Sequence, residues 1–131
     1  MAITFSSALG IHEQALQARV QRAEVLANNL ANADTPGYKA RDVDFQAVMA
    51  RAQGEMQGLQ MARTHEGHLD TSMGGHADVM YRNPDQPSID GNTVDTQQEQ
   101  TRFMRNAMDY QASFQFLNSK FTGLAKAIRG E

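Results

Sequence analysis

Apolar residues spaced alternately by four and three run without a break through the last third of the chain, and this pattern constrains the fold more than any other feature. The spacing places them on one face of an α-helix. The residues are Phe103, Ala107, Tyr110, Phe114, Leu117, Phe121, Leu124 and Ile128. Thr96 and Glu99 have the S/T-x-x-E form of a capping box, and Gly130 is a residue type that commonly follows a helix end. The sequence therefore predicts a long helix over residues 95–129.

A second amphipathic run lies near the start of the chain and ends in an abrupt turn. Its small and apolar positions are Leu9, Leu16, Val20, Ala23, Ala27 and Leu30, with only Glu13 breaking the series. This spacing predicts a helix over residues 7–33. Pro36 cannot continue a helix, and Pro36-Gly37 is the preferred centre of a type II turn, in which Gly37 takes a positive φ. We therefore expect a tight turn at residues 34–38.

Between the two runs the helical signal weakens and then disappears. Residues 42–58 have helical spacing and predict a shorter helix, with Asp42 or Asp44 as its capping residue. Residues 60–92 lack periodicity and are rich in glycine, proline, aspartate and asparagine, which predicts an irregular segment. The candidate strands within that segment are residues 62–64 and 79–81.

The predicted fold is mainly α, with a single domain over residues 1–131. The two long terminal helices pack as a coiled-coil-like antiparallel pair, a short helix follows the turn, and the irregular middle holds at most a small β element. The apolar stripes are expected to hold the pair together and to contact other subunits, because the phenylalanines are too bulky for a two-helix seam to cover. The stripe residues are Leu16, Val20, Ala23, Ala27, Leu30, Phe103, Tyr110, Phe114, Leu117, Phe121 and Leu124.

Composition argues against several function classes. The net charge of −3 disfavours a nucleic-acid-binding protein, which normally carries a basic stripe. The chain contains no cysteine, so it offers no disulfide, no thiolate metal site and no cysteine nucleophile. The N-terminal residues lack the features of a Sec-type signal peptide, and no apolar run approaches the length of a membrane span.

The charged and ionisable clusters have ordinary explanations. Histidines and aspartates in the irregular segment are candidates for a metal site, but their spacing matches no standard motif, and solvated loop histidines are the preferred interpretation. A small metal-dependent enzyme, or a metal-responsive helical protein, that uses this histidine cluster is the alternative hypothesis. Four arginines in the long helices are interpreted as solvated or as members of rim ion pairs with little energetic weight. The first cluster is His65, His68, Asp70, His76 and Asp78, and the arginines are Arg19, Arg22, Arg102 and Arg105.

Asparagines crowd the end of the predicted first helix, just before the turn. From their chemistry alone, they are interpreted as helix caps or as hydrogen-bond partners between packed subunits. The asparagines are Asn28, Asn29 and Asn32, and the turn residues that follow are Asp34, Thr35, Pro36, Gly37 and Tyr38.

These residues carry a family resemblance. Residues 29–38, NLANADTPGY, resemble the signature of bacterial flagellar axial proteins, the rod and hook family. Residues 81–95, YRNPDQPSIDGNTVD, are similar to a segment specific to one proximal rod member of that family, and residues 99–130 are similar to the end of the same member. The chain lacks the Glu-Met…Arg-Ala-Tyr pattern that ends the hook, the distal rod and the other small proximal rod proteins, which favours the same member.

The resemblance implies a structural subunit rather than an enzyme, with no cofactor and no metal. Such a subunit belongs to the proximal rod of the flagellar basal body, where it joins the MS ring and export gate to the rest of the rod and transmits torque. The implied partners are other rod proteins, copies of itself, the basal-body adaptor FliE, the MS-ring protein and the flagellar type III export apparatus. Family members are exported unfolded, without a cleaved signal, to the periplasmic side of the inner membrane.

Overall fold

The computed structural model describes residues 9–56 and 78–130 and confirms a mainly helical fold with long helices near both ends. The candidate strand at 62–64 and the histidines of the metal hypothesis lie outside the described residues. No helix in the described ranges is long and apolar enough to cross a membrane. The elements, in chain order, are α1 (His12–Ala31), β1 (Arg41–Val43), α2 (Phe45–Met56), β2 (Val79–Tyr81) and α3 (Thr96–Arg129).

Helix α1 is shorter than the predicted helix over 7–33. Gly10 has a φ of 62°, a left-handed conformation that cannot belong to a continuous right-handed helix, and α1 begins at His12. At its other end, the backbone N–H and the side-chain Nδ2 of Asn32 both donate to the carbonyl of Asn28, at 3.2 and 2.8 Å. Asn32 therefore caps the helix end, as its chemistry suggests.

The segment after α1 reverses direction through a β-turn. The N–H of Tyr38 donates to the carbonyl of Thr35 at 3.3 Å, which places Pro36 and Gly37 at the centre of the turn. Gly37 has a φ of 72°, the positive value expected at the third position of a type II turn.

A short strand replaces the predicted start of the 42–58 helix. Strand β1 pairs antiparallel with β2, with Asp42 opposite Met80. Helix α2 begins only at Phe45, and the carboxylate of Asp44 caps it by accepting from the N–H of Ala47 at 3.1 Å. Asp42, the other candidate cap, instead belongs to the sheet.

Helices α1 and α3 form an antiparallel pair. Asn29, near the end of α1, contacts Glu99 at the start of α3, whereas His12 at the start of α1 stacks on Phe116 with ring centroids 6.2 Å apart. Helix α3 is capped by Asp95, whose Oδ1 accepts from the N–H groups of the second and third helical residues, and not by a Thr96–Glu99 capping box. Glu99 is consequently free to point toward α1.

The buried seam of this pair differs from the predicted one. Helix α1 buries Ala15, Ala18, Leu26 and Asn29, and α3 buries Glu99 and Asn106. Both polar residues of α3 are hydrogen-bonded to α1, and the predicted apolar stripe lies to one side of them. The exposed stripe residues are Val20, Ala27, Phe103, Tyr110, Phe114 and Phe121, and the half-buried ones are Leu16, Ala23, Leu30, Leu117 and Leu124. Their contact with other subunits stays a prediction.

Candidate assembly site

Asn29 is fully buried, and both the nitrogen and the oxygen of its side-chain amide form hydrogen bonds. Its Nδ2 donates to the carbonyl of Arg41 at 2.7 Å and to Oε2 of Glu99 at 3.0 Å. Its Oδ1 accepts from the N–H of Arg41 at 3.1 Å and from the hydroxyl of Tyr38 at 3.3 Å. The amide thus pairs with the backbone of β1 as a neighbouring strand would, and it links α1, β1 and α3.

A second asparagine, Asn92, caps the end of α1 from the far side of the sequence. Its Nδ2 lies 2.9, 2.8 and 2.8 Å from the carbonyl oxygens of Asn32, Ala33 and Thr35. The Asn32 carbonyl lies at the end of α1 and those of Ala33 and Thr35 lie in the turn that follows, so the two hydrogens of one amide are shared among three carbonyls at the helix–turn junction. The Oδ1 of Asn92 accepts from the N–H of Val94 at 2.8 Å, which holds the side chain in place.

The turn motif and the segment around residue 91 are docked together through their backbones. The N–H of Gly37 donates to the carbonyl of Asp90 at 2.9 Å, and the N–H of Thr93 donates to the carbonyl of Tyr38 at 3.0 Å. Gly91 has a φ of 76°, and a Cβ built on it would lie 3.6 Å from the Cα of Gly37. The two sequence motifs that carry the family resemblance, residues 29–38 and 81–95, therefore pack against each other, and we call this contact the joint.

Replacing Gly37 with valine is expected to destabilise this joint by about 2 kcal/mol, because a β-branched residue strongly disfavours a positive φ. No atom lies within 4 Å of a Cβ built at Gly37, so the cost arises from φ and not from crowding. Gly37→Asn is the matched control, because asparagine tolerates the left-handed region. Thermal melting followed by circular dichroism should rank the chains wild type, Asn, Val. Equal melting of the two variants would contradict the turn geometry.

A chain of alternating charges connects the joint to the start of α3. Arg22 binds Asp42 through two contacts, Nε to Oδ1 at 2.8 Å and Nη2 to Oδ2 at 3.1 Å. Arg82 bridges Asp42, at 3.1 Å, and the buried carboxylate of Glu99. Arg102 also donates to Glu99 at 3.1 Å. Arg22 and Arg102 are thus half-buried members of ion pairs, and ion pairing was one of the two interpretations that the sequence left open.

Burial acts to raise the pKa of Asp42, but hydrogen bonds from Arg22 and the backbone N–H of Val43, together with the charges of Arg22 and Arg82, outweigh it and hold the pKa below its ordinary value. The hydrogen bond to Asp42 likewise raises the pKa of Arg22. These groups lie on three elements, α1, β1 and the segment after β2, so their charges stabilise the joint only while the carboxylate is ionised.

The stability of the protein should therefore fall in acid. A carboxyl whose folded-state pKa lies below its unfolded value contributes stability above the unfolded value, about 3.9 for aspartate, and loses that contribution as the pH falls through the folded value. We expect Asp42→Asn to lower the melting temperature at pH 7 and to flatten the decline below about pH 4. Asp34→Asn, at an exposed turn position, is the control. If the melting temperatures of wild type and Asp42→Asn decline in parallel in acid, this role is contradicted.

Arg19 organises a second polar cluster halfway along the helix pair. Its guanidinium binds Asp109, with Nη1 and Oδ2 3.1 Å apart, and lies 3.7 Å from the centroid of the Phe45 ring. Burial lowers the pKa of Arg19, and the charge of Asp109 opposes that effect. The Nδ2 of Asn106 donates to the carbonyl of Arg19 at 2.9 Å. This cluster ties α1 to α2 and to the middle of α3.

The structure brings some predicted site residues together and leaves others at the surface. The joint includes Asn29, Gly37, Tyr38 and the backbone carbonyls of Asn32 and Thr35. Asp34 and Pro36 are exposed at the turn. Sequence reasoning assigned none of the observed contacts to Asp42, Arg82, Asn92 and Asn106, because no local pattern distinguishes a buried polar residue from a solvated one. Residues 9–56 and 78–130 contain no group of three or more metal-binding side chains that could hold an ion.

Comparison with known proteins shows similarity over the whole chain. A family model described as "Flagella basal body rod protein" matches residues 9–39. A protein of Aeromonas hydrophila named "Flagellar basal body rod protein FlgB" is 52% identical, with 100% of this chain and 99% of the relative aligned. Proteins with the same name from Salmonella typhimurium strain LT2 (95% of this chain, 94% of the relative) and Escherichia coli K12 (94% of both) are 42% and 41% identical.

Proposed function

Because the chain belongs to the FlgB family of flagellar basal body rod proteins, we propose that it is a structural subunit of the proximal rod that joins the MS ring and export gate to the rest of the rod and transmits torque. The family is one of structural rod proteins and not of enzymes. A basal body rod protein associates with other flagellar components.

The exposed aromatic face of α3 is the observation that carries the proposal. We define the aromatic face as Phe103, Tyr110, Phe114 and Phe121, whose exposed fractions are 38%, 38%, 55% and 45%. Soluble monomers rarely leave such a row of large apolar side chains in water, and a row of this kind marks a site of protein association. A contact between different surfaces of successive subunits propagates a helical assembly when it does not close into a ring.

The joint supports a mechanical role. It connects α1, β1, the turn and the start of α3 through hydrogen bonds and ion pairs, so a force on one long helix is passed to the other without relying on a large apolar core. The turn at 34–38 reverses the chain so that β1 packs beside α1, and we expect this returning segment to lie outside a tube built from the pairs. A stiff joint of this kind suits a subunit that carries torque.

The partners that we propose are other rod proteins, copies of this chain, the adaptor FliE and the MS-ring protein. Export through the flagellar type III apparatus, without a cleaved signal, would deliver the subunit to the periplasmic side of the inner membrane. In that setting the aromatic face contacts neighbouring subunits, and the half-buried stripe residues of both helices extend the contact area.

The test is swimming and hook assembly in a strain that lacks the gene, complemented with variants of the aromatic face. Phe114→Asp should abolish swimming, because burying an unpaired carboxylate at a subunit contact costs several kcal/mol. The purified variant should keep the wild-type melting temperature, since Phe114 is already half exposed. Asn118→Asp, at an exposed position of the same helix, should swim normally. A motile Phe114→Asp strain, or normal flagella in the deleted strain without a second gene copy, would remove the proposal.

A further inference from the structure

The face of α3 that packs on α1 carries two fully buried polar residues, although an aromatic face lies beside it. Glu99 and Asn106 are buried in the seam, and the aromatic face stays partly exposed. Around the helix, the buried pair Glu99 and Asn106 is separated from the aromatic face by about 50°, which is less than the step of about 100° that one residue covers. A small rotation of α3 about its own axis would therefore bury the aromatic residues against α1. Hydrophobic burial favours that rotation in an isolated chain.

Asn106 is placed where it can oppose the rotation. Its Nδ2 donates to the backbone carbonyl of Arg19 at 2.9 Å, in the middle of α1. The buried small residues Ala15 and Ala18 lie on the same side of α1 and allow the close approach that this bond needs. Glu99 holds only the start of α3, and Asn106 lies about two helical turns further on.

Buried polar atoms in the seam lower the stability of the helix pair. The Oδ1 of Asn106, the Nε of Arg19 and the Oε1 of Gln14 are buried and have no hydrogen-bond partner within residues 9–56 and 78–130. Buried polar atoms without a partner are destabilising. A leucine at position 106 would remove one such atom and would pack against the alanines of α1. The polar residue is thus not explained by the stability of the helix pair.

We propose that Asn106 is a positioning residue that sets the rotation of α3 and so keeps the aromatic face directed away from α1 and available to neighbouring subunits. A single buried asparagine in a helix pair is known to specify one arrangement at a cost in stability. The rotation of α3 is a property of the single chain, whereas the contact of the aromatic face with neighbouring subunits rests on the proposed function.

The experiment compares Asn106→Leu with the matched control Asn118→Leu, which makes the same change at an exposed position of α3. In the purified full-length chain, Asn106→Leu should raise the melting temperature by about 3 °C or more. It should also reduce the fluorescence of the hydrophobic dye anilinonaphthalene sulfonate by about half, because less aromatic surface is exposed. In the deleted strain it should restore export of the protein but not swimming. Asn118→Leu should match wild type in melting temperature and swimming.

Three results would overturn the inference. A lower melting temperature or loss of helical signal in Asn106→Leu would show that Asn106 simply stabilises the pair. Unchanged dye binding would show that α3 has not rotated, and normal swimming would show that its rotation has no consequence. If the purified variant behaves as expected but the deleted strain itself swims, the rod function fails while the assignment of rotation stands.

Discussion

Asn29→Asp is expected to destabilise the protein by about 3 kcal/mol or more and to prevent rod assembly, although it changes only one side-chain amide into a carboxylate. The Nδ2 of Asn29 donates to the carbonyl of Arg41 and to the carboxylate of Glu99. An aspartate oxygen at that position would face two acceptors, one of them charged, in a fully buried place. Both contacts would become repulsive.

The neighbouring residue provides the control for this prediction. Asn28 is exposed, and Asn28→Asp introduces the same charge at the same helix end, where the helix dipole alone costs about 0.3–1 kcal/mol. The free energies of unfolding of the two variants, measured by chemical denaturation followed by circular dichroism, should differ clearly. Because repulsion from Glu99 raises the pKa of a carboxyl at position 29, the deficit of Asn29→Asp should shrink between pH 7 and about pH 5. Equal stability of the two variants at pH 7 would refute the role given to Asn29.

Glu99→Ala is expected to have the next largest effect, a loss of about 3 kcal/mol and a melting temperature lower by about 10 °C. Glu99 is fully buried and binds Arg82, Arg102 and Asn29. Removing it leaves two half-buried guanidinium groups short of a negative partner and one amide hydrogen unpaired. Partial solvation of the arginines keeps the loss near the lower end of the range for buried ion pairs.

A double-mutant cycle distinguishes this network from a simple loss of packing. Arg82→Ala in the Glu99→Ala background should cost less than Arg82→Ala alone, with a coupling of about 1 kcal/mol or more, because the partner has already been removed. Glu24→Ala, on the exposed surface of α1, should melt within a few tenths of a kcal/mol of wild type. Strictly additive effects of Glu99 and Arg82 would show that their ion pair contributes nothing.

The residues of this network differ in how far their roles could be anticipated from the sequence. Asn29 belongs to a motif with a family resemblance, so its importance could be anticipated, but its four hydrogen bonds could not. Glu99 was visible only as part of a capping box, whereas the structure uses Asp95 for the cap and turns Glu99 inward. Arg82 and Asp42 lie 40 residues apart and carry no local signal that they form a pair.

Features that depend on neighbours along the chain could be predicted from the sequence. Apolar spacing predicted the long helices and their antiparallel pairing, Pro36-Gly37 predicted the turn, and Gly130 predicted the end of α3, where its φ is 78°. Each of these follows from backbone geometry within a few residues. The position of Gly10, which interrupts the first helix, was the exception, because an isolated glycine within a helical pattern is often tolerated.

Which face of each helix is buried depends on contacts between parts of the chain that lie far apart in sequence. Apolar periodicity shows that a helix has a face to cover, but it does not show whether that face meets another helix of the same chain or another molecule. In this protein, hydrogen bonds between groups far apart in sequence, such as Asn29 with Glu99 and Asn106 with Arg19, select the rotation of α3. The aromatic face is left outside the pair because polar contacts across the seam are directional, whereas hydrophobic attraction is not.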